Sequence, residues 1–106
     1  MAFDDTKVRE YLRTTHETPL LTEREKHLIG LAVTMTRGCQ VCTRNRIEKA
    51  RAAGIGDDVL NALIAVASSV NAGVTAATAR EGFRLVDAAA AEDCGAICSV
   101  EASSGR

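Results

Sequence analysis

Tryptophan is absent from this chain, and phenylalanine and tyrosine bring the aromatic content to only 3%. A core of large rings is thereby excluded, and Ala, Val, Leu and Ile must fill the interior, a composition that suits helices approaching closely across small side chains. There is no excess of charge of either sign. The formal net charge is −1 and the pI about 6.1, with Arg and Glu interspersed, so the chain carries no electrostatic footprint for nucleic acid or an anionic membrane. No nucleic acid and no membrane are expected as partners. Long apolar runs are missing too: residues 28–35 and 59–70 are apolar in patches, but Gly30, Asn61, Ser68 and Ser69 interrupt them, and neither reaches the ~20 residues that cross a bilayer. The segment Met1 to Lys7 holds Asp4 and Asp5 with no apolar run behind them, unlike a secretory signal. A cytoplasmic location is expected.

What is present reads as helix throughout; no segment alternates in the manner of a strand. Val8, Tyr11 and Leu12 lie at helical spacing within 4–16, and Pro19, the single proline, ends that element. Thr22 followed by Glu25 is a capping box, so a second helix starts there. Its Leu28, Leu31, Ala32 and Met35 share one face, and Ile29 and Val33 widen the stripe, which predicts burial on more than one side. Gly38 ends or bends it. A third helix runs from about Cys39 to Ala53, stops at Gly54, and forms a helical hairpin with the second. Asp57 or Asp58 can cap a fourth, core helix carrying Val59, Leu60, Leu63, Val66, Ala67 and Val70. Asn71-Ala72-Gly73 predicts a break before a last helix that runs into the alanines at 88–91. Tyr11, Met35, Phe3 and Phe83 are assigned to packing.

The fold expected is all-α, one small helical domain over residues 1–98 with a central hairpin, followed by a flexible tail at 99–106. A domain of 106 residues leaves much apolar surface uncovered as a monomer, so a homo-oligomer is expected.

Chemistry concentrates in Gly38-Cys39-Gln40-Val41-Cys42-Thr43-Arg44-Asn45-Arg46. Two thiols at Cys-x-x-Cys spacing hold either a metal or a reversible disulfide. Inside a regular helix their Cβ atoms stand ~5–6 Å apart, too far for a bridge that needs ~3.5–4.5 Å. Cys39 at the helix cap, with Gly38 before it, removes that obstacle. The same place puts the thiols near free backbone N–H groups and the positive end of the helix dipole, which favour thiolate, and Arg37, Arg44 and Arg46 add positive charge.

This segment, together with Thr22-Glu23-Arg24-Glu25-Lys26-His27-Leu28-Ile29-Gly30-Leu31-Ala32-Val33 before it and Ala53-Gly54-Ile55 after it, resembles the carboxymuconolactone decarboxylase superfamily. Within it the likeness is to the alkyl hydroperoxidase D-like branch, over about residues 20–85. The resemblance implies an all-helical fold assembled as trimers or hexamers, no bound cofactor, and a peroxidase or disulfide reductase activity regenerated by an external thiol reductant. It implies that Cys42 attacks peroxide and Cys39 resolves the product, although capping alone favours Cys39 as the better thiolate. The branch relays protons through a glutamate twelve residues before the first cysteine and a histidine four after the second. This chain has His27 and Arg46 at those places.

Arg46 lies one turn from Cys42 and can stabilise a thiolate, but a guanidinium cannot serve as a base at neutral pH. In a hairpin turning near Gly38, Arg46 faces Gly30, with His27 ~4.5 Å further along the axis, so His27 becomes the substitute base; Glu25 and Glu48 are further candidates. His16, before the proline loop, is assigned to solvent. The cluster Arg44, Arg46, Lys49 and Arg51, balanced by Glu48, reads as a solvated helix face. Cys94 and Cys98 form a second pair that the resemblance does not supply. They offer a dithiol relay to Cys39 and Cys42, a pair of spare thiols, or the other half of a four-cysteine zinc site. A decarboxylase or related lactone-processing enzyme is a further reading, against which the dithiol argues because that chemistry requires no Cys-x-x-Cys; a noncatalytic oligomeric scaffold, kept open by Arg46, is the last alternative.

Overall fold

The structure, a computed structural model, describes residues 2–91. Four helices follow one another: α1 (Thr6–His16), α2 (Glu23–Thr36), α3 (Gln40–Ala52) and α4 (Asp57–Ala91), with no strand among the described residues. The all-α expectation is met. The chain divides into two units, Met1–Ala67 and Ser68–Arg106; α1, α2, α3 and the start of α4 belong to the first.

Local chemistry sets the helix ends. Thr22 Oγ1 accepts the N–H of Glu25 at 3.1 Å, and Glu25 Oε1 accepts the N–H of Thr22 at 2.8 Å, the reciprocal cap expected at the start of α2. The hydrogen bond from the Thr22 N–H foremost, and then one from the Thr22 side chain, holds the Glu25 carboxyl below the usual range. At its other end, Gly38 adopts φ +80°, the N–H of Gly38 bonds to the carbonyl of Met35 and that of Cys39 to the carbonyl of Thr34. This is a Schellman closure. It is repeated after α3, where Gly54 has φ +84°, Gly54 N–H bonds to Arg51 and Ile55 N–H to Ala50. Ile55 and Ala50 are both buried, the apolar contact that accompanies this motif.

The core of the first unit is Leu31, Ala50, Ile55 and Leu60, with Leu28, Met35, Ile47, Val59 and Leu63 packed around it. Ala50 is fully buried, which marks where α2 and α3 approach closely over a small side chain. They form the expected antiparallel hairpin. Thr43 Oγ1 lies 3.4 Å from Thr34 Oγ1 across it while donating to the Cys39 carbonyl at 2.7 Å.

Five expectations need correction. α2 is buried on one side only, with Ile29 50% and Val33 54% exposed, because α3 is the element that covers it. The break at Asn71-Ala72-Gly73 does not occur. α4 continues through it to Ala91, with Thr75 Oγ1 donating to the Asn71 carbonyl; glycine costs a helix only about 1 kcal/mol relative to alanine, far less than proline. α4 is also no core helix along its length, since Leu60 is its one buried residue and Val66, Val70 and Val74 are exposed. Of the four residues assigned to packing, Met35 joins the core, whereas Phe3, Tyr11 and Phe83 are exposed. Uninterrupted, α4 is long and apolar enough, by length and composition, to cross a membrane, so the interruptions at 59–70 no longer argue against a span.

Candidate functional site

Cys39 is the N-cap of α3. Its backbone is extended (φ −86°, ψ 101°), and its Sγ accepts the N–H of Cys42 at 3.3 Å. The non-helical cap thus brings the two residues together as anticipated: their Cα atoms lie 5.3 Å apart and the sulfurs are paired as a disulfide. Glycine at position 38 makes the approach possible, since its left-handed backbone turns the chain out of α2 one residue before the cap.

Cys39 is half-buried and Cys42 exposed, and no acidic residue stands in the first turn of α3 to oppose a thiolate. The positive end of the helix and its free N–H groups therefore act on both sulfurs without a competing negative charge.

A cavity of about 620 Å³ opens beside Cys39. Met35 and Ile47 supply its apolar wall, Gln40 and Thr43 its polar groups near the sulfur, and Arg44, Glu48 and Arg51 its charged end. Those charges are largely matched. Arg51 makes two 2.9 Å bonds to Asp57, which hold the Asp57 carboxyl low and raise Arg51. Arg44 Nε stands 3.9 Å from Glu48 Oε1, a loose pair between exposed groups. The solvated face read from the sequence is thus seen for Arg44, Lys49 and Arg51, but Arg46 is half-buried and the carboxylate that balances Arg51 is Asp57 rather than Glu48. Gln40, Thr43 and Ile47 were not anticipated here; their spacing along α3 (40, 43, 47, 51) was the available signal, as it puts them on one helix face.

Cys42 and Arg46 are not among the residues lining this cavity, and Arg46 reaches α2. The guanidinium of Arg46 lies against Gly30, so close that a Cβ there would come within 2.6 Å of Arg46 Cζ. The hairpin register deduced from the turn at Gly38 is therefore the register found. His27 sits on α2 one turn before Gly30, half-buried. It is not among the residues lining the cavity beside Cys39; it stands one turn after Glu23, whose carboxyl is held low first by a hydrogen bond from Lys26 and then by the Lys26 charge. Glu25 is committed to the α2 cap, while Glu48 is the carboxylate that reaches the cavity. His16 Nδ1 donates to the Leu12 carbonyl at 2.7 Å, away from the dithiol.

Cys94 and Cys98 lie outside the described residues, as do the end of the expected domain and the tail. Among the described residues, no group of three or more His, Cys, Asp or Glu side chains could hold a metal ion.

Comparison with known proteins identifies a family. Residues 6–94 match the family model described as "Carboxymuconolactone decarboxylase family". No curated protein and no solved structure matches the chain.

Proposed function

The chain belongs to the carboxymuconolactone decarboxylase family, and we propose that within it the protein is a thiol-disulfide oxidoreductase of the alkyl hydroperoxidase D-like branch, reducing peroxides or disulfides with Cys39 and Cys42. The observation that carries this reading is the pairing of an N-cap cysteine with the cysteine whose N–H it accepts. Such a pair can close and open without unwinding α3.

In the proposed reaction Cys42, the more exposed sulfur, attacks the peroxide as thiolate. An S–O bond forms, the O–O bond breaks, and the departing alkoxide takes up a proton to become the alcohol. The Cys39 thiolate then attacks the sulfenic sulfur, forming the S–S bond and releasing hydroxide, which leaves as water after protonation. The dithiol loses two electrons and two protons, and the peroxide gains them. An external thiol reductant restores the pair, and the cavity beside Cys39 suits its approach. Attack on Cys39 expels Cys42 as thiolate, the sulfur one turn from Arg46.

Two protons must move in each cycle and Arg46 cannot carry them. His27 is the proposed carrier, supported by its place one turn from Gly30, which Arg46 touches. A trimer or hexamer is proposed, supported by the exposed apolar residues Tyr11, Leu12, Val66, Val70 and Phe83. A cytoplasmic site of action fits a dithiol that must be re-reduced. The test is peroxide consumption by the reduced protein with dithiothreitol as reductant. Turnover should be seen with the natural chain and lost in Cys42→Ser; equal turnover in both would refute the proposal.

A further inference from the structure

Gly30 stands in the interior of α2, where glycine costs about 1 kcal/mol relative to alanine. Its backbone gives no reason for it: the described glycines with positive φ are Gly38 and Gly54, and Gly30 is not one of them. Its surroundings do. The space a Cβ would fill is taken by the guanidinium of Arg46, with Cζ 2.6 Å and Nε 3.1 Å from that point.

Arg46 is four residues after Cys42 on α3, hence one turn away on the same face, and long helical side chains lean back toward the preceding turn. It is half-buried. Among the described residues, no carboxylate pairs with it: Arg44 faces Glu48 and Arg51 faces Asp57. On α2 the charged or titratable groups on the turns before Gly30 are His27 and Lys26, the latter paired with Glu23, and on α3 Lys49 and Glu48 follow Arg46, Glu48 facing Arg44. An unmatched positive charge is therefore held one turn from Cys42.

The geometry points to Gly30 as a positioning residue for the dithiol, its missing side chain forming the seat that fixes the Arg46 guanidinium one helical turn from Cys42. This rests on the dithiol reading above and adds to it a residue that acts through another. A cation fixed there favours the Cys42 thiolate over its thiol, and so favours the reduced pair over the disulfide.

The design is separable from stability. The atoms that a Cβ at position 30 would meet are the far end of a flexible side chain, so Gly30→Ala should move the guanidinium out of its seat while leaving α2 intact or firmer. The experiment compares natural protein, Gly30→Ala, Arg46→Met and the double variant. It measures Cys42 acidity from the pH dependence of alkylation by iodoacetamide, followed at Cys42 by mass spectrometry, and the reduction potential in glutathione buffers, with thermal unfolding recorded alongside. Expected in Gly30→Ala and in Arg46→Met alike is a Cys42 pKa higher by roughly half a unit, the scale of a partly exposed charge interaction, and a more negative potential. The double variant should move no further than Arg46→Met alone. The inference is overturned if Gly30→Ala changes only the melting temperature, if its effect adds in full to that of Arg46→Met, or if Arg46→Met moves neither quantity. In those cases a disulfide that still forms on oxidation leaves the dithiol reading standing; a pair that never closes overturns both.

Discussion

Cys39 Sγ accepts the backbone N–H of Cys42 at 3.3 Å, so the first sulfur of the pair caps the helix that carries the second. A side chain that caps a helix is coupled to that helix's stability. Oxidation and reduction at Cys39 therefore act on the first turn of α3 and on the hairpin that α3 builds with α2.

Substituting Cys39 should make this coupling visible. Cys39→Ser keeps a capping oxygen, whereas Cys39→Ala removes the cap and should cost about 1 kcal/mol more in the reduced state. Denaturant unfolding of the two variants under reducing conditions checks it, and equal stabilities would contradict the capping role.

Gly38 and Gly54 close α2 and α3 with φ near +80°, a conformation that costs an L-residue about 1–2 kcal/mol. Gly38→Ala should lose about that much stability and also slow closure of the Cys39–Cys42 disulfide, because it strains the residue next to the cap. Gly54→Ala should lose similar stability without affecting disulfide closure. Unfolding curves and timed thiol trapping separate the two.

Leu31 is the largest fully buried side chain of the first unit. Leu31→Ala should destabilise the protein by about 2–5 kcal/mol, measured by denaturant unfolding. A change within half a kcal/mol would mean that α2 does not pack on α3 as described.

The capping box predicts a pH dependence. The Glu25 carboxyl is held below its ordinary value by bonds that exist only in the folded chain. Its stabilisation is therefore complete above the ordinary carboxylate range and lost as pH falls through the depressed folded value. Asp57, held low by Arg51, has the same sign. Melting temperature should fall on acidification, and Glu25→Gln, which caps without titrating, should flatten that fall. An unchanged slope would remove Glu25 from the account.

Much of this arrangement was legible in the residues themselves. Thr22 with Glu25, Gly38 before Cys39, and Gly54 before Ile55 are local signals, each satisfied by atoms a few residues away, and each sits where the pattern put it. The facing of Arg46 and Gly30 followed from the turn position alone. What was not legible depends on partners that sequence spacing does not name. Ile29 and Val33 extend an apolar stripe, yet one neighbouring helix covers only one side of α2. Asn71 and Gly73 look like punctuation, but weak helix formers among Val70, Ala72 and Val74 do not stop a helix that proline would. His27 was read from its register with the cysteines, and it does not line the cavity beside Cys39.

The exposed valines of α4 give a prediction about assembly. In detergent-free buffer the protein should sediment at three or six times its 11.2 kDa chain mass, and Val70→Asp should shift it to smaller species. A natural chain that sediments at 11.2 kDa would contradict assembly, and one that needs detergent to stay in solution would turn the apolar length of α4 toward a bilayer.

The most direct measurement is a redox titration of the purified chain with mass spectrometry of the trapped disulfides. Expected is a reversible two-electron couple in which Cys39 links to Cys42 in the oxidised form and both are alkylated in the reduced form. Thiols at Cys39 and Cys42 that stay unlinked across the whole range of potential would contradict it.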